Sequence, residues 1–139
     1  MISFTPSIVD DLPEIERWIA ADPDHCDRMP PEWWITGSDC IVACCVSDQS
    51  GPCMYIRIDE EEEYARLHVQ FAPESEVPKR RIASTLLEGF PVVATLVSQK
   101  GFKGLVSESR SESLIKFMTK IGFKFLKEND YVLMFGEVV

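Results

Sequence analysis

The stretch "FAPESEVPKRRIASTLLEGF", Phe71 to Phe90, decides the fold. Its front end closes a run that alternates apolar and polar residues, and its back end repeats apolar residues at helical spacing. Between them lie Pro73, Pro78 and three successive cations, Lys79, Arg80 and Arg81. A strand that runs through a short loop into a helix aims the helix's first N–H groups at the loop, an arrangement suited to an anion. Whether this loop holds a phosphorylated cofactor is the question the rest of the chain must answer.

Immediately upstream, "YARLHVQFA" sets Ala65, Leu67, Val69 and Phe71 on one face of a strand and Arg66, His68 and Gln70 on the other. Before it, "CIVACCVS" and "CMYIRID" read as two further strands joined by "DQSGP", a tight turn. The acidic run Asp59 to Glu63 reads as a solvated hairpin loop, with recruitment of a cationic substrate as the alternative.

At the start of the chain, "MISFTPS" alternates as a strand and "DLPEIERWIAAD" follows with helix signals. Asp11 is placed to cap that helix, with Pro13 in its first turn and Leu12, Ile15 and Ile19 on one face. From Asp22 to Asp39 three prolines, a glycine, two tryptophans and a histidine predict a loop, with one helical turn at "PPEWWI".

Downstream, Ile82, Leu86, Leu87, Phe90, Val93, Ala94 and Val97 continue the helix to Gly101, while Pro91 predicts a kink or break near Gly89. "KGLVSES" predicts a short strand. Ser109 and Glu112 form a capping box for a last helix with Leu114, Phe117, Met118 and Ile121 on one face. Gly122 ends it, and "YVLMFGEVV" is the closing strand.

With 139 residues and 45% apolar content, the chain has the size and composition of one domain, 1–139, without a linker. The N-terminus has no signal-peptide pattern and no apolar stretch approaches the roughly 20 residues of a membrane span. A soluble, cytoplasmic protein without a membrane partner is expected. A net charge of -9 repels nucleic acid and favours cationic partners. Five cysteines without a secretory signal predict free thiols, with Cys40, Cys44 and Cys45 in a buried strand. No pair of spaced Cys-x-x-Cys motifs offers a zinc site, and no metal is expected.

The element order is strand, helix, loop, three antiparallel strands, helix, strand, helix, strand. In that order, and in two local sequences, the chain resembles the GNAT superfamily of acyl-CoA-dependent N-acetyltransferases. "VQFAP" resembles the end of the family's fourth strand, and "PKRRIASTLL" its helix opening, Arg/Gln-x-x-Gly-x-Gly/Ala. "SESLIKFMTKIGF" is similar to Asn-x-x-Ala-x-x-x-Tyr-x-x-x-Gly-Phe, with Gly122 and Phe123 matching. The resemblance implies an α/β (α+β) fold with a mixed, mainly antiparallel, splayed sheet flanked by helices.

The departures fall on functional positions. The family's first Arg/Gln falls at Pro78 and its central glycine at Arg81, and the final Gly/Ala is kept as Ala83. A side chain at the central position would block a pyrophosphate from the backbone donors. The tyrosine that often protonates the departing thiolate is replaced by Met118, which cannot donate a proton.

The resemblance implies acetyl-CoA, or another acyl-CoA, bound at Phe71, Lys79, Arg80, Arg81, Ile82, Ala83, Ser84 and Ser111. The cations would replace the lost backbone contacts, or else balance an acidic surface. It further implies a backbone N–H near Phe71 as the oxyanion donor; His68 is the candidate base, or an ordinary strand residue, Tyr131 a stand-in for the acid, or a packing residue of the closing strand, and Ser111 a cofactor contact, or part of the first turn of the last helix. Trp18, Asp22, His25, Trp33 and Trp34 would hold a small amine, or the tryptophans would plug the core. A diverged N-acetyltransferase is one expectation and a non-catalytic ligand-binding or interaction domain on the same scaffold is the other. A homodimer is compatible with both.

Overall fold

The computed structural model describes residues 1–23, 29–35 and 40–136. Its strands are β1 (Ser3–Pro6), β2 (Val42–Asp48), β3 (Gly51–Glu61), β4 (Tyr64–Phe71), β5 (Gly104–Glu108), β6 (Lys124–Lys127) and β7 (Asp130–Met134). The helices are α1 (Leu12–Ala21), α2 (Lys79–Gln99) and α3 (Glu112–Lys120). One sheet runs in the order β1-β2-β3-β4-β5-β7-β6, and β4 with β5 is its parallel pair among antiparallel neighbours. This is the mixed, mainly antiparallel architecture expected from the sequence.

The hairpins form where the turn residues require them. Asp48 pairs with Gly51, whose φ of 132° is open to glycine and closed to most other residues. The acidic run turns at Glu62 and Glu63, but Asp59, Glu60 and Glu61 belong to β3 and its ladder with β4. The alternation of β4 is as read. Leu67 and Val69 turn toward the α2 layer, while His68 and Gln70 turn toward α1 and the tryptophan segment.

Several local expectations are corrected. Asp11 does not cap α1 with its side chain. Its carboxylate instead accepts from Ile8 N–H at 2.9 Å, closing a 3₁₀ turn over Val9–Asp11 ahead of the helix. Helix α2 runs unbroken through Pro91, because an apolar face carrying Leu86, Val93 and Val97 holds both halves on the core. By length and composition α2 could cross a membrane; in this fold it packs one face, Thr85, Leu86, Gly89, Val93 and Val97, on the sheet and leaves Leu87, Val92 and Leu96 exposed. The α3 cap is Ser111, whose Oγ accepts from Leu114 N–H, while Ser109 Oγ accepts from Ser111 N–H. The closing strand is preceded by a partner, β6, that was not anticipated.

The core lies on both faces of the sheet, with Trp18, Trp34, Tyr55, Phe123 and Ile58 among its largest buried side chains. Tyr55 donates to Glu14 at 2.6 Å and packs on Trp18, tying α1 to β3. Gly104 admits the neighbouring strand so closely that a Cβ there would meet Leu133 O at 2.9 Å. Arg66 of β4 reaches across β5 to Asp130 of β7 with two 2.9 Å bonds, and donates to Glu61 as well. Arg66 and its neighbours hold the Asp130 carboxyl below its ordinary range.

Candidate active site

The parallel ladder of β4 and β5 ends at Leu67 and Ser107, while β4 continues to Phe71. Beyond that point the two strands part. Ala72 N–H donates to Cys53 O on the β3 side, so strand alternation turns Phe71 N–H to the opposite edge, the edge that β5 has left. A cavity of about 510 Å³ opens at this gap, and Leu67, His68, Val69 and Phe71 all line it. Because these residues come from both faces of β4, the cavity passes through the plane of the sheet.

On the α1 side the wall consists of Trp18, Asp22, Trp33, Trp34 and His68. Pro30 and Pro31 start the 3₁₀ turn Pro31–Trp34, which delivers the two tryptophans to the sheet. Trp34 is 1% exposed and belongs to the core as much as to the cavity. Trp33 is half-buried, and its ring meets His68 edge to face at 4.6 Å between centroids. Arg57 lies 4.3 Å over the Trp33 ring, donates to Trp33 O at 2.6 Å, and pairs with Asp59 at 3.0 and 3.2 Å. Asp59 Oδ2 is also 3.4 Å from His68 Nε2. Asp22 accepts from Gln70 at 3.1 Å, which directs a carboxylate into the wall.

On the α2 side the wall is formed by Lys79, Ile82, Ala83, Leu86 and Phe90, with Leu114, Phe117 and Met118 opposite. Pro78 is the N-cap residue and supplies no side-chain bond; Arg81 N–H donates to Pro78 O at 3.0 Å, which leaves the Lys79 and Arg80 N–H groups without an intrahelical acceptor. In the loop before the helix, Glu76 and Val77 N–H both donate to Pro73 O. That turn spends two donors that would otherwise be available to an anion. Ser107, Ser109 and Ser111 add hydroxyls along the β5 end.

The cations do not act together. Arg81 makes two bonds to Asp48, at 2.7 and 2.8 Å, and lies 3.7 Å from Cys53 Sγ. Its guanidinium pushes the Asp48 carboxyl far down and draws the Arg81 side chain to the β2–β3 turn, away from the cavity. Arg81 is therefore neither placed as a phosphate ligand nor an obstruction in the cradle. Arg80 and Ser84 are exposed and lie outside the cavity wall, whereas Lys79 lines it.

Tyr131 follows the packing alternative rather than that of a stand-in acid. It packs against Phe125 at 5.8 Å on the β6–β7 hairpin and is not part of the wall. Met118, 2% exposed, occupies the wall beside Phe117. His25 lies outside the described residues. Burial pushes the Cys44 thiol up to about 12, as suits a core cysteine. Among the described residues no group of three or more His, Cys, Asp or Glu is placed to hold a metal.

Arg57 and Asp59 were not singled out from the sequence. A signal was present, because an arginine between two isoleucines in an apolar strand must find a buried partner. Asp59, two residues on, shares its face.

No family model and no curated protein matches the chain. Solved structures do. An acetyltransferase from Thermus thermophilus superposes with a TM-score of 0.69 at 16% identity, over 97% of each chain. A GNAT family acetyltransferase from Brucella melitensis in complex with acetyl-CoA covers all of this chain and 91% of its own, with a TM-score of 0.61 at 13% identity. An aminoglycoside acetyltransferase in complex with coenzyme A and kanamycin matches at 0.69 and 12% identity, over 96% of this chain and 95% of its own. The chain has the fold of the GNAT acetyltransferases.

Proposed function

We propose that this chain, built on the fold of the GNAT acetyltransferases, is an N-acyltransferase that moves an acetyl group from acetyl-CoA to a small amine. The observation that carries this reading is the cavity at the parting of β4 and β5, which brings His68, the Phe71 edge and the α2 N-terminus to one space. The acyl-CoA would lie on the α2 side, its phosphates toward Lys79 and the uncapped helix start. The amine would enter on the α1 side, between Trp33 and Asp22.

In that arrangement His68 takes a proton from the amine as its lone pair attacks the thioester carbonyl, and Phe71 N–H faces the developing oxyanion. The C–S bond then breaks and the thiolate leaves with the electron pair. An acidic chain with Asp22, Glu74 and Glu108 on the cavity wall favours a cationic amine over an anionic acceptor.

Met118 favours a second reading, a ligand-binding domain without turnover, because no tyrosine reaches the wall to protonate the thiolate. Calorimetric titration with acetyl-CoA, alongside a Lys79→Ala/Arg80→Ala variant, tests the shared premise. Micromolar binding weakened in the variant supports a cofactor site, and thiol release on adding amines then separates enzyme from binder. No heat, with no thermal shift at millimolar ligand, overturns both acyl-CoA readings.

A further inference from the structure

We infer that Asp59 is the positioning residue for His68, one carboxylate shared between Arg57 and the imidazole that turns His68 Nε2 away from the bond-making atoms. The inference rests on the acyl-transfer reading for its use, but not for its geometry. Asp59 and Arg57 project from β3 on the face where β4 presents His68, since Arg57 and His68 are direct cross-strand partners. Asp59 Oδ2 lies 3.4 Å from His68 Nε2, and both Asp59 oxygens are within 3.2 Å of Arg57 Nε.

Three consequences follow from this sharing. The neutral imidazole carries its hydrogen on Nε2, facing a carboxylate, so the basic lone pair is on Nδ1. The ring is fixed in orientation by Asp59 at one edge and by Trp33 packed edge to face. The wall and the base also become one unit, because the arginine held by Asp59 stacks on Trp33 and donates to its carbonyl. A proton shed by the amine leaves an imidazolium, whose charge Asp59 offsets within the site. A carboxylate that orients a histidine and stabilises its cation follows the general logic of base–orienter pairs.

Among the described residues, the charged groups that line the cavity with His68 are Asp22 at the end of α1, Glu74 and Lys79 before and at α2, Glu108 at the end of β5 and Arg110 after it, while Arg57 and Asp59 lie behind His68 on β3. Replacing Asp59 by Asn removes the adjacent negative charge and uncovers that of Arg57. Both changes disfavour protonated His68, so its titration midpoint falls by about one pH unit.

The chain contains two histidines, so imidazole nitrogen NMR reads the site directly, with a His25→Gln variant assigning the signals. In the native protein the neutral His68 is expected as the Nε2–H tautomer. In Asp59→Asn its midpoint is expected about one unit lower, and Asp59→Glu should recover most of the shift. A native Nδ1–H tautomer, or a midpoint unchanged in Asp59→Asn, overturns the inference. A native Nδ1–H tautomer overturns the inference even where the variant fails to fold, and the Asp59→Asn shift is what separates a held Nε2–H form from the ordinary preference of free histidine. Because no acetyl-CoA is present, a positive NMR result with an empty cofactor site would retain the pair and remove the acyl-transfer reading.

Discussion

On the α1 side of the sheet the lining side chains His68, Trp33 and Asp22 are held from behind by Asp59, Arg57 and Gln70. Asp59 holds Arg57 and His68, Arg57 holds Trp33, and Gln70 holds Asp22. On the α2 side the wall is mainly apolar, its polar potential lies in backbone N–H groups at a helix start, and its most prominent cation is turned outward to Asp48. The first wall is pre-organised for a small group that is polar at one end. The second is a mainly apolar surface with Lys79 and a helix start at one end and serine hydroxyls at the β5 end. The contrast shows that the chain's investment in specific contacts is concentrated where the proposed acceptor sits.

The largest expected effect separates the two sides by function. His68→Ala should lower the rate of acetyl transfer about 10²–10⁴-fold, measured by thiol release, while the calorimetric affinity for acetyl-CoA stays unchanged. A parallel loss of affinity would break the division.

The next effect separates wall from core within the α1 side. Trp34→Ala should cost about 3–5 kcal/mol in urea unfolding, whereas Trp33→Ala, half-buried on the cavity surface, should cost about half as much. Equal costs would make both tryptophans plugs.

On the α2 side, Ala83→Phe should fill the cavity and abolish the acetyl-CoA heat. Lys79→Ala should weaken binding about two- to fivefold, in line with one exposed charge contact. Arg81→Ala should lower the urea midpoint and leave acetyl-CoA affinity within about twofold, because its partner is Asp48. An affinity loss larger than that of Lys79→Ala would return Arg81 to the cofactor site.

The smallest effect concerns pH. Asp48 and Asp130 both titrate below their ordinary value of 3.8 in the folded protein. Their contribution is therefore complete above that value and is lost as pH falls below about 4 toward the folded values. Thermal midpoints followed from pH 5 to pH 2 should fall, and Asp130→Asn should flatten part of that slope. An equal slope in the variant would place the acid sensitivity elsewhere.

Most of the fold was legible because periodicity is a property of the chain itself. The alternation from Tyr64 to Phe71 and the helical spacing from Ile82 to Val97 each reported a buried face. β6 was not legible, since Lys124, Phe125, Leu126 and Lys127 are all exposed and leave no two-residue signature. The cap of α3 was misplaced by two residues because Ser109 and Ser111 both bond into the same turn.

The site was legible only where one element sufficed. His68 and Phe71 follow from the position of a strand end. The destination of Arg81 depends on Asp48, 33 residues away, and that of Asp59 on a cross-strand register, neither of which periodicity contains. Local sequence placed Asp59 with the acidic run, and cross-strand pairing sets it behind His68, beside Arg57.

Arg66 bonds to Asp130 over the top of β5, one residue before β4 and β5 separate. Mechanically this is a rivet at the crotch of a forked plate. Two parallel bonds resist both separation and sliding of β4 against β7 at that point. A residue that lines no part of the cavity thus ties β4 to β7 across β5, the strand whose parting from β4 makes that cavity.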